Sequence, residues 1–175
     1  MADEGSWGDY VSEAGSDAGA LGVVADGMTE SAADVSAGIE SIDTSALPDD
    51  VAGAIVDAGY NATEAASWSD WAQGDLRDAA EWQDAAADHV ASAQEWLADG
   101  NVDGYLQEMG SAQTASDIAD GVVGQASTDL GIGAEYMDSS VAALDTAAYD
   151  ASAVDTSSYD AGTADISSAD VSSDV

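Results

Sequence analysis

Residues 58–97 read AGYNATEAASWSDWAQGDLRDAAEWQDAAADHVASAQEWL, and the fold is decided in this stretch. Counted in sevens it places alanine at Ala58, Ala65, Ala72, Ala79, Ala86 and Ala93, in a phase that reaches back to Val51. Four residues after each alanine stand Ala62, Ser69, Leu76, Gln83, Val90 and Leu97, so the seam is apolar but thin. Trp68, Trp82 and Trp96 recur along its flank. A 4-3 spacing held this long marks a helix that packs lengthwise against other helices. Alanine in the seam lets backbones approach toward the short end of the usual interaxial range of about 8–10 Å, while indoles close the side of the groove. The pattern therefore predicts a packing or interface face made of Ala65, Trp68, Ala72, Ala79, Trp82, Ala86, Ala93 and Trp96.

Working outward, Asp43, Thr44 and Ser45 supply capping oxygens, and Pro48-Asp49-Asp50 is a good first helical turn, which sets a helix over 48–98. Asn61 and Glu64 have the spacing of a capping box, yet the heptad phase passes through them, so one continuous or bent helix is expected. Upstream, a stripe runs from Trp7 through Val11, Ala14, Ala18, Leu21, Ala25, Met28, Ala32, Val35 and Ile39 to Ile42, apolar at every position, and predicts a helix over 5–42. Seven glycines in 5–42 make that helix dependent on its neighbours. Downstream, Asp99-Gly-Asn-Val-Asp-Gly104 is the sharpest turn, and a third helical region follows over 103–142, with a break or restart expected at Ser127-Thr128-Asp129. From Ala143 the chain repeats every ten residues: 143–152 (ALDTAAYDAS) aligns with 153–162 (AVDTSSYDAG), and 163–172 is a degraded third copy. Ser, Thr and Asp compete for backbone hydrogen bonds inside helices, so 143–175 is expected as an extended acidic tail. The reading is thus all-α: a long helical hairpin or coiled-coil bundle over 1–142, followed by the tail.

Charge sets the environment. The chain carries 36 acids against one arginine and no lysine, a net −35. Self-repulsion on this scale opposes compaction in dilute buffer and is screened in molar salt, where the Debye length falls from about 10 Å at 0.1 M to about 3 Å at 1 M. With 27 Asp to 9 Glu, helix propensity did not drive the enrichment. The composition resembles the acidic proteomes of salt-in extreme halophiles, haloarchaea above all, and the heptads are inconsistent with an acidic disordered chain. One fixed cation, Arg77, cannot neutralise phosphates, which excludes nucleic acid as a partner. There is no cysteine, and no apolar run reaches the roughly 18 residues of a membrane span. The acidic start Met-Ala-Asp-Glu-Gly predicts no export signal.

Catalytic signatures are lacking. Asp99, Asn101 and Asp103 with Gly104 resemble the start of an EF-hand or dockerin-type calcium loop, but position twelve is Gly110 where a bidentate Glu belongs. A helix hairpin, with Gly100 ending one helix and Asn101 or Asp103 capping the next, explains the same residues. His89 stands alone without a second His or a Cys, and Arg77 lies four residues before Glu81, which predicts a local ion pair. The serines have no base partner. Asn61-Ala62-Thr63 is a glycosylation sequon with no export signal to give it meaning. The expectation is a protein that is not an enzyme and takes no cofactor.

In style the whole chain resembles the short acidic structural proteins of haloarchaeal tailed viruses, built of Ala/Gly-rich coiled coil with repetitive ends. That resemblance implies a tail, baseplate, fibre or internal virion component, located in a virion or a high-salt cytoplasm. The second reading is a host halophile adaptor or secreted partner-binding hairpin, similar in shape to WXG100 proteins; Trp7-Gly8 and the Trp-rich hairpin support it, although no W-x-G stands at the long turn. Seven leucines, six isoleucines and no phenylalanine leave little apolar area per residue to offset ordering, which costs about 1–2 kcal/mol per residue. A homo-oligomer, trimer or higher ring, or a subunit held by other assembly proteins, is therefore expected.

Overall fold

The structure is a computed structural model and describes residues 6–153. Among these it is all-helical: α1 (Trp7–Ala14), α2 (Ala18–Glu40), a 3-10 turn (Thr44–Ala46), α3 (Asp49–Ala98) and α4 (Val102–Ala153). At 1.5 Å per residue α3 and α4 are each about 75 Å long, and α2 about 35 Å.

α3 and α4 pack antiparallel along their lengths. Ser140 Oγ donates to the Ala58 carbonyl at 2.8 Å, Gly133 lies against Ala65 and Trp68, and His89 Nδ1 meets Glu108 Oε2 at 2.7 Å. The buried face of α3 is Val51, Ile55, Ala58, Ala62, Ala65, Ser69, Ala72, Ala79 and Ala93. α3 is unbroken at Asn61. α4 answers with Ala112, Ala119, Ala126, Ser140 and Ala147 at multiples of seven, together with Val123, Leu130 and Met137. Met109 and Ser116 of α4 face out, and Ala115 is buried.

α2 runs antiparallel to α3 and covers only its first half. Contacts step from Ile39 on Gly59, through Ser69 Oγ donating to the Ala25 carbonyl at 2.7 Å, to Gly22 beside Leu76. Where α2, α3 and α4 meet, Gly133 permits the approach: a Cβ there would fall 2.8 Å from Met28 Sδ and 3.3 Å from Trp68 Cβ. Met28 and Leu130, both fully buried, fill this level, and the fully buried Leu21 follows two turns away along α2.

Three expectations require correction. The single helix over 5–42 is two helices. Gly15 takes φ +60°, a left-handed turn that favours glycine, and Asp17 Oδ1 accepts the Ala20 N–H at 2.8 Å to start α2. α1 doubles back, so that the Trp7 indole reaches Gly27 and the Trp7 N–H donates to Asp138 Oδ1 at 2.9 Å. The break at 127–129 does not form: Thr128 Oγ1 bonds back to the Gly124 carbonyl, and Asp129 accepts from Gln125 Nε2 at 2.7 Å. Nor does the tail begin at 143, because α4 continues to Ala153. Thr146 Oγ1 bonds back to the Ala142 carbonyl, and Ala147 packs with Val51 and Ile55. Residues 154–175 of the expected tail lie outside the described residues.

Asp75 of α3 meets the nearly buried Asp129 of α4. Burial first, then the charges of Asp129 and Asp78, push the Asp75 carboxyl above its ordinary value. A carboxyl raised in the folded state stabilises below the unfolded value and loses that contribution as pH rises through the folded one, so ionised Asp75 is a cost at neutral pH. Asp75→Asn should accordingly raise the melting temperature at about pH 7, with the gain vanishing below about pH 4. A lower melting temperature at neutral pH would show instead that ionised Asp75 makes a favourable contact.

Candidate interaction surface

The cover given by α1 and α2 ends where their connecting turn, Ser16 to Ala18, comes beside Gln83 and Asp120. Beyond that level α3 and α4 continue alone as a two-helix arm about 25 Å long to the turn at Asp99–Asn101. Inside the arm the buried residues are Ala93, Ala112, Ala115 and Ala119, with Ala86 and Val90 half-buried. Alanine alone buries little area, so the arm is the weakly held half of the hairpin.

Its outer surface carries closely spaced apolar side chains, whereas those exposed on the covered half, such as Val23, Val56, Tyr60 and Trp71, are spread over a longer stretch of chain. Trp96, Leu97, Val102, Leu106 and Met109 are all exposed toward the tip, Leu106 at 60%, and Trp82 stands at the margin of the cover at 42%. Glu81, Asp84, Asp88, Glu95, Asp99, Asp103, Glu108, Asp117 and Asp120 share the same stretch of chain, which has no Lys or Arg. The surface is thus apolar patches set among carboxylates.

The tip is built rigidly. Gly100 takes φ +73°, its N–H reaches the Leu97 carbonyl at 3.0 Å, and the Asn101 N–H reaches the Trp96 carbonyl at 2.9 Å, which is the Schellman arrangement. Asn101 Oδ1 then accepts the Gly104 N–H at 3.0 Å and starts α4, while the Trp96 ring lies over Gly104. Asn101 of the calcium-like loop thus caps α4, with Asp99 at the end of α3 and Asp103 in the first turn of α4; among the described residues no three His, Cys, Asp or Glu side chains are grouped to hold a metal.

Of the eight packing residues read from the heptads, Ala65, Ala72, Ala79 and Ala93 are buried and Ala86 is half-buried. The indoles divide. Trp68 is half-buried and meets Trp71 edge to face at 4.7 Å, whereas Trp82 and Trp96 are exposed. His89, read as a lone flank residue, joins the two helices of the arm through Glu108. Arg77 makes no ion pair with Glu81 among the described residues; its Nε donates to the Gln73 carbonyl at 3.1 Å, a backbone bond within its own turn. Sequence reasoning missed the serine bridges. Ser69 also accepts from Thr29 Oγ1 at 3.1 Å, so the hydroxyl at that seam position ties α2 to α3. A serine in an otherwise alanine row was the available signal, but its partners are remote in sequence.

No described helix is long and apolar enough to cross a membrane. Compared with known protein families, with curated proteins and with solved structures, the chain matches none.

Proposed function

We propose that this chain is a structural subunit of a large assembly working in high salt, with the virion of a haloarchaeal tailed virus as the leading setting and a tail, baseplate, fibre or internal position within it. The observation that supports this most is the arm: a two-helix projection whose exposed Trp82, Trp96, Leu97, Val102 and Leu106 have no cover within the described chain. Exposed apolar groups gathered on one projection mark a contact surface. The occupant that fits is further helices from identical or neighbouring subunits, which would continue the alanine seam as a coiled-coil bundle. Its role is that of a scaffold and not of an enzyme.

The test is light scattering of the purified chain in about 3 M salt, chosen so that the Debye length is below about 3 Å and self-repulsion is screened. The expected result is a trimer or larger species, and the double change Trp96→Ser with Leu106→Ser should return it to monomer while leaving helicity intact. A monodisperse monomer with well-protected amides would overturn the oligomer. A one-to-one complex with a single host protein would favour the adaptor reading instead.

A further inference from the structure

The seat that holds α2 does not stop where α2 does. On α3 it is the series Ala62, Ser69 and Leu76, of which Ser69 bonds to the Ala25 carbonyl and Leu76 lies beside Gly22. On α4 it is Val123, Leu130 and Met137, which share one core cluster with Leu21, Ala25 and Met28 of α2. Continued by sevens into the arm, the same two series become Gln83, Val90 and Leu97 on α3 and Ser116, Met109 and Val102 on α4. Heptad steps keep to one helix face, so these six form a strip along the arm on the side that α2 takes in the covered half. The other side of the arm is marked by His89 with Glu108 and by Trp96 over Gly104. Leu97 is 52% and Val102 55% exposed, with no cover within the described chain. None of the six is charged, although the stretch 81–120 holds nine acids.

We infer that this strip seats the arm of a second copy of the chain, laid antiparallel, so that each arm supplies the helix pair that the other lacks. The inference rests on the reading of the arm as a contact surface, and it names the partner and the geometry. Continuity is the first argument. In the covered half the α3–α4 pair is closed on this face by α2, with α1 folded back beside α2 and α4. A second arm is likewise a helix pair, of the same length and bearing the same strip, which is the self-complementarity that a two-fold contact requires. Charge is the second argument. Two chains of net −35 can approach closely only where carboxylates are absent, and a basic partner would find no acid to pair with at these six positions. Sterics then fix the direction. α1 and α2 lie on the same face beyond Gln83, so a copy whose arm pointed the same way would drive its body into them. Reversed, its tip runs up to the turn of Ser16, Asp17 and Ala18, beside Gln83 and Val123, and ends there. Each α3 then lies along the other α3 with Val90 at the centre, and each α4 along the other α4 with Met109 at the centre. Gln83 of one copy stands beside Leu97 of the other, and Ser116 beside Val102.

Cross-linking tests this, because the chain has no cysteine of its own. Gln83→Cys and Leu97→Cys are prepared as separate full-length chains, as are Ser116→Cys and Val102→Cys; all four positions are exposed. Each pair is mixed in equal amounts in about 3 M salt, where repulsion is screened, left to exchange, and treated with a short bis-maleimide. Both mixtures should give a covalent dimer, at least about fivefold more than any single variant alone, because like positions of the two copies stand about 21 Å apart along the arm. Cross-linking of Leu97→Cys or Val102→Cys alone to the level of its mixture would put the tips together and overturn the antiparallel seat. No cross-link in either mixture, while light scattering still shows an oligomer, would overturn this contact and leave the assembly reading standing. A strict trimer would do the same, since arms joined two by two give even copy numbers. A monomer in light scattering would remove both.

Discussion

In about 3 M NaCl the chain should give a strongly helical circular dichroism spectrum with one cooperative melt, and dialysis to about 50 mM should remove most of that helicity. Charge drives the expectation. A net −35 is distributed over a molecule in which, among the described residues, the one ion pair is His89 with Glu108 and Arg77 is occupied by a backbone carbonyl. Screening is the one large term that can lower the repulsion, since Arg77 is the one arginine among 36 acids and there is no lysine. The opposing apolar term is small because so much of the core is alanine, and a net stability of about 5–15 kcal/mol is easily outweighed by repulsion on this scale. Strong cooperative helicity in dilute buffer would overturn the salt-dependent reading altogether.

Leu130→Ala should be the most damaging single truncation, at about 2–5 kcal/mol, and should lower the melting temperature in high salt by several degrees or more. Leu130, Leu21 and Met28 are the largest fully buried side chains, and they belong to one core cluster where α2, α3 and α4 meet. On its own helix Leu130 is flanked by Ala126, Gly131, Gly133 and Ala134, which are too small to fill the space. Leu106→Ala, on the exposed arm, is the internal comparison and should change the monomer by no more than about 0.5 kcal/mol. Thermal melts of the two variants side by side decide the matter. Equal shifts would mean that the level around Leu130 is not the centre of the core.

The all-helical class was legible because alanine at seven-residue intervals admits no other packing, and the row from Val51 to Ala79 is buried apart from small variations. What escaped reading has physical causes. Ala14 and Ala18 are four apart, so the stripe passes through the α1–α2 turn without a phase error, although Gly15-Ser16-Asp17 carried a glycine stop and an aspartate cap. The extension of α4 past 143 was hidden because Thr146 disfavours helix as an isolated residue, whereas here its hydroxyl bonds back one turn and Ala147 packs beside Val51. Ser69, Ser140 and Asp129 look like gaps in an apolar row, yet each has a hydrogen-bonding partner, and for the two serines that partner lies on another helix. The arm itself was not legible at all. Trp82 and Trp96 belong to the same fourteen-residue series as Trp68, and only the length of α2 determines which indole it reaches.

The turn that ends the cover, beside Gln83 and Asp120, also acts as a fulcrum. Gly121 and Gly124 of α4 lie just on the covered side of it, where an added Cβ would meet no neighbouring atom, and glycine is where a long helix bends most cheaply. One half of the molecule is a stiff handle and the other a slender lever with a rigid, capped tip. A bend of α4 at these glycines would leave Leu21, Met28 and Leu130, which lie within the covered half, in place.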